Sequence, residues 1–115
     1  MLLAPGPAKK VTIHLNEDTI SQSDYLSREI LSLLLREGIA GATLLRPEAG
    51  FGYHHRVHSQ EGGADTAQHM PLRIEFVDVA QNVERLLPSL MELLTDGMIE
   101  AHDTVILKAA VGRAR

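Results

Sequence analysis

The chain has 115 residues, 44% apolar and 23% charged, with a formal charge of −4; such proportions build one folded domain around one core and exclude wholesale disorder. The 15 acidic against 11 basic side chains, no Trp, and two each of Phe and Tyr argue against nucleic acid, which draws on surplus Lys and Arg and on stacking rings. The absence of cysteine excludes disulfides and thiolate chemistry, and no apolar run nears the roughly 20 residues of a membrane span.

In chain order, residues 1–8 carry Pro5 and Pro7 and lack the basic start and apolar core of a signal peptide, so a loose N-terminus on a cytoplasmic protein is expected. Over 11–15, Val11, Ile13 and Leu15 alternate with Thr12 and His14, the period of a half-buried strand. Ser21 or Ser23 is placed to cap a helix whose apolar stripe is Leu26, Ile30, Leu33 and Leu34, and Gly38 is placed to end it. A second strand is expected over 42–46, stopped by Pro47. Leu72, Ile74 and Phe76 alternate with Arg73 and Glu75 as a third strand.

Asp78 then suits the cap of a second helix striped by Val83, Leu86, Leu87, Leu90 and Leu94. Pro88 is expected to kink that helix, and Gly97 to end it. A last strand is expected over 105–107, followed by a flexible tail over 109–115. The order βαββαβ predicts an α+β ferredoxin-like sandwich, an antiparallel sheet with both helices on one face. Apolar side chains on the other face, such as Leu45 and Val77, would then be covered by neighbouring subunits. Residues 48–70 have no period, which marks them as a long functional loop. Segment 53–70 is expected to move freely without a partner, because Glu61-Gly62-Gly63-Ala64-Asp65 offers almost no apolar area to offset ordering.

Two blocks, GIAGATLLRPEAGFG (38–52) and PLRIEFVDVAQNVERLLPSLMELLTDGMI (71–99), resemble the PII-like bacterial family called domain of unknown function 190. The resemblance takes in the glycines, the Val-Asp before the helix and Pro88, and extends over most of the chain. It implies a single PII-like domain over 1–115, a homotrimer with ligand pockets between subunits, and a regulatory role exerted on a partner protein through the long loop. A membrane transporter or channel is the candidate partner, because genes of this family often sit beside that of a fluoride exporter.

The candidate ligand residues are Gly41, Arg46, Gly50, Phe51, Gly52, His54 and His58. Gly50 and Gly52 bracket Phe51, so the backbone can turn freely around an apolar anchor; the same glycines also serve simply to turn strand into loop. The resemblance makes an adenine nucleotide the candidate ligand. PII proteins hold ATP phosphates with a glycine- and lysine-rich segment, whereas 96–103 here has one glycine, no lysine and three carboxylates. Phosphates seek amides and positive charge, so ATP is expected to bind less well than a less charged adenosine compound. Arg113 and Arg115 offer charge, but a terminal pair of this kind is usually solvated.

His54, His55 and His58 form a run of three imidazoles that could hold a divalent metal, weighed against a solvated or pH-sensitive loop. His14 and His102 are read as surface or structural groups. A small ferredoxin-like oligomeric enzyme is the alternative to a regulator. It would need a titratable group in an inward pocket, but the inward positions of the first and third strands are all apolar and no catalytic motif is present. A non-enzymatic protein is the expectation.

Overall fold

The alternation around Val11 belongs to a strand longer than its apolar pattern. The computed structural model describes residues 3–16, 19, 25–51, 58–59 and 70–112. In it, β1 spans Gly6–Asn16, α1 Leu26–Arg36, β2 Thr43–Leu45, β3 Ala49–Gly50, β4 His58–Ser59, β5 Pro71–Asp78, α2 Ala80–Leu93 and β6 Met98–Ile106. Four strands form an antiparallel sheet in the order β2-β5-β1-β6, and β3 pairs with β4 in a separate hairpin. Apart from that hairpin, the order and topology are those of the expected ferredoxin-like α+β fold.

The register places one apolar set opposite another. Val11 faces Phe76, Ile13 faces Ile74 and Leu15 faces Leu72 across β1 and β5. All six are buried, with Leu26, Ile30, Leu33 and Leu34 of α1 and Val83, Leu86 and Leu90 of α2 packed over them. Burying each such side chain contributes about 1.5–3 kcal/mol, so this layer is the main source of stability.

The other face of the sheet is polar at its centre. Thr12 lies between Glu75 and Glu100 in the register and is itself buried. Glu75 is balanced by Lys10 at 3.7 Å and Arg73 at 3.2 Å, and Glu100 lies 3.1 Å from the His14 ring. Leu45 and Val77 are half-buried at the margin of this network. The face is thus not the bare apolar surface from which neighbouring subunits were argued.

Several boundaries differ from the sequence reading for identifiable reasons. Gly6, Pro7 and Ala8 pair with Ile106, Val105 and Thr104, so the strand claims the end of the supposedly loose 1–8 segment. β6 starts seven residues earlier than expected, at Met98. It is an edge strand with Glu100, Ala101, His102 and Asp103 all exposed. Backbone pairing to β1 holds it, and so it carries no apolar alternation.

α1 begins after Tyr25, not behind a serine cap, and Ser21 and Ser23 lie outside the described residues. Its C-terminus follows expectation. Gly38 has φ +79, its amide donates to the Leu35 carbonyl, and the Ile39 amide donates to the Leu34 carbonyl. α2 runs through Pro88 to Leu93 unbroken and ends before Gly97. Pro88 lies on the exposed side between buried Leu86 and Leu90.

Asp78 is fully buried but precedes the cap residue, Val79. Its carboxylate accepts from the Val79 amide and the Asn82 side-chain amide, both at 2.8 Å, and from the Ala40 amide at 3.3 Å. Arg85 adds a second tie by donating to the Glu37 carbonyl at 2.9 Å. Together they fasten the α1–β2 turn to the first turns of α2.

Candidate functional site

At one end of the sheet, β1 finishes at Asn16, β5 starts at Pro71, and the chain turns from α2 into β6. The three ends do not close on one another. They leave a cleft of about 570 Å³ lined by His14–Asn16, Phe51, Pro71, Leu72 and residues 94–98. Gly97 makes the turn possible. It has φ +133, and a Cβ there would overlap the carbonyl oxygen of His14, so only glycine lets the turn lie directly on β1. His14 pairs with Met98 as the last step of the β1–β6 register.

The walls are mostly apolar, from Leu15, Leu72, Leu94, Met98 and Phe51, with polar groups from His14, Asn16, Thr95 and Asp96. That mixture is typical of a small-molecule pocket. No Lys or Arg is among the described residues that line it. The His14 ring is half-exposed, and its Nε2 lies 3.1 Å from an Oε2 of Glu100.

The candidate residues read from the sequence separate in space. Phe51, the apolar residue between the two glycines, lines the cleft and is 63% exposed. The apolar anchor of the segment is Met70, 3% exposed. Gly50 lies behind Phe51, where a Cβ would come within 3.2 Å of the Pro71 ring. It pairs with His58 across the β3–β4 hairpin. Gly41 and Arg46 are exposed on either side of β2 and are not among the lining residues.

Gly52, His54 and His55 lie outside the described residues, as does the side chain of His58 and most of the 53–70 segment. Among the described residues no three metal-ligating side chains converge, and no helix is long and apolar enough to cross a membrane. His14, Asn16 and Thr95 were missed in the sequence, while Asp96 was noted as part of the acidic segment 96–103. The glycine between Asp96 and Met98 pointed toward a tight turn there.

The family model of DUF190, described as "Uncharacterized ACR, COG1993", matches residues 8–106. The chain belongs to the DUF190 family. A relative, UPF0166 protein MJ1524 of Methanocaldococcus jannaschii, is 31% identical over 102 residues, covering 88% of this chain and 93% of that protein. Among solved structures, this DUF190 chain is similar to CPII, a nitrogen regulatory PII-like protein of Thiomonas intermedia K12 bound to ADP, AMP and bicarbonate. The TM-score is 0.69 at 19% identity, over 92% of this chain and 93% of that one. It is also similar to a protein of Thermus thermophilus described as a putative PII-like signaling protein, with a TM-score of 0.64 at 18% identity over 92% of both chains. At these identities the structural likeness speaks for the fold, which is PII-like.

Proposed function

We propose that this DUF190 chain is a cytoplasmic PII-like regulator that senses a small ligand in the cleft at the end of its sheet. In this reading it reports occupancy to a partner protein through the segment 48–70. The observation that carries the reading is the position of Phe51. It brings the base of that segment to the cleft, opposite the α2–β6 turn, so a ligand there would touch both the sheet and the segment. The nucleotides bound to CPII support a ligand of the adenine nucleotide class. The partner proposed is a transporter or channel, and the working assembly a homotrimer in which subunits meet around the sheet.

A binding role rather than catalysis is supported by the one fully buried carboxylate among the described residues. Asp78 already accepts from three donors and so has a structural task. Native mass spectrometry of freshly isolated protein tests the reading. The expected result is three 12.6 kDa chains with a retained small molecule, and Phe51→Ala releases that molecule. A monomer at micromolar concentration, or a ligand whose retention ignores Phe51, would sink it.

A further inference from the structure

We propose that the end of the sheet where β1 begins and β6 finishes is a docking surface for a bilayer rich in anionic lipid. Aliphatic side chains within 105–111 and the basic residues beside them make the contact.

Charge is divided unevenly along the chain. All 15 acidic side chains lie between Glu17 and Asp103, whereas 1–16 and 104–115 hold five of the 11 basic ones and no acidic residue. The register brings these two segments together, with Gly6 opposite Ile106, Pro7 opposite Val105 and Ala8 opposite Thr104. A protein of net charge −4 thus gathers its acid-free segments at one end of its sheet. Lys9 and Lys10 are engaged there by Asp103 and Glu75. Lys108 is exposed, and Arg113 and Arg115 follow it in the sequence.

The same place carries apolar surface that the core leaves out. Val105, Leu107 and Val111 are 61%, 86% and 80% exposed, and none belongs to the buried cluster. Aliphatic side chains interleaved with cations suit a membrane interface, where the first enter the acyl boundary and the second meet lipid phosphates. Segment 104–115 has no Trp, Tyr or Phe, the rings that anchor protein partners and stack on bases. Lipid is therefore the occupant this surface fits. Three aliphatic side chains alone hold weakly, so the charge is needed as well. The length of β6 separates Met98 at the cleft from Ile106 here by about 26 Å, so docking leaves the cleft clear of the bilayer.

Vesicle flotation of the full chain tests this, comparing phosphatidylglycerol mixed equally with phosphatidylcholine against phosphatidylcholine alone. At low salt, partitioning onto the mixed vesicles is expected to be about tenfold greater. It should fall about fivefold in roughly 0.5 M NaCl, which shortens the reach of charge. Lys108→Glu should lower it about threefold. Leu107→Ser combined with Val111→Ser should lower it about fivefold although the charge is unchanged.

Thermal melts check that each variant folds; if the double variant does not, Leu107→Ala takes its place. No flotation, equal partitioning onto both kinds of vesicle, or a double variant that floats like the parent overturns the proposal. So does a double variant of altered assembly mass, which would make this surface a contact between copies of the chain.

Discussion

Replacing Gly97 with alanine measures how tightly the α2–β6 turn is laid on β1. Two costs combine. At φ +133 the backbone occupies a region open essentially to glycine alone, which costs another residue about 1–3 kcal/mol. The new methyl would also overlap the His14 carbonyl, so the turn must lift, straining the terminal His14–Met98 pair; losing one backbone hydrogen bond costs about 1 kcal/mol. Together these give about 2–4 kcal/mol, or a melting temperature lower by roughly 8–16 °C for a domain of this size.

Two other glycines serve as controls. Gly38 has φ +79 but open space around it, so Gly38→Ala should cost only the backbone part, about 1–2 kcal/mol. Gly41 has open space and no positive φ. Gly41→Ala should therefore be neutral or stabilise by up to about 1 kcal/mol through the unfolded chain. Urea and thermal melts of the three variants should rank them Gly97, Gly38, Gly41 from most to least destabilised. If Gly97→Ala melts like Gly38→Ala, the contact with β1 is not what demands glycine.

Further predictions concern the latch, the surface and the long segment. Asp78→Ala leaves the Ala40 amide and the Asn82 side chain without their acceptor, and urea melts should register a loss of about 2–4 kcal/mol; a loss under about 1 kcal/mol would mean the latch is dispensable. Lys9 donates to Asp103 at 2.6 Å, and that hydrogen bond with its charge holds the carboxyl below its ordinary 3.8 and the ammonium above its ordinary 10.5. The depressed carboxyl contributes stability above its unfolded value that is lost as pH falls through its folded value; the raised lysine contributes below its unfolded value and loses it as pH rises through its folded one. Asp103→Asn should accordingly lower the melting temperature slightly near neutral pH, with the difference vanishing in strong acid and in high salt. A difference that persists in acid would assign the effect to something other than this pair. Deleting residues 60–68, which by composition offer little apolar area, should leave melting temperature and assembly mass unchanged while partner or ligand binding disappears; an unfolded deletion variant would make the segment structural.

The parts of the fold legible in the sequence are those whose side chains face a single environment. β1, β5, α1 and α2 each turn one regular apolar set toward the shared core, so their periods survive in the chain. β6 left no such trace because an edge strand with both faces largely exposed is specified by backbone pairing. Its extent depends on how far β1 continues toward Gly6.

The cleft was harder still. His14 resembles any polar residue on an alternating strand until the register sets it beside Met98 and Glu100, more than eighty positions away. Phe51 was found through its flanking glycines, but no local signal says that it lines a cleft with residues 94–98. Asp78 was recognised as special because it precedes a helix, yet the distant Ala40 amide changes its task from cap to latch. Local pattern identified these residues, and only tertiary contact assigned what each one does.

The edge position of β6 has a consequence for isotope exchange. In an antiparallel pair, successive residues alternate between donating to the neighbouring strand and pointing away from it. Along Met98–Ile106, with β1 on one side only, alternate amides are therefore locked into the ladder while those between them face outward. The first set should trade hydrogen for deuterium only when β1 and β6 separate; the second should trade almost as fast as an open peptide. A strand from another molecule laid along this edge would slow the second set and leave the first as it was, so the spacing of slow and fast amides tells residue by residue whether the edge is covered.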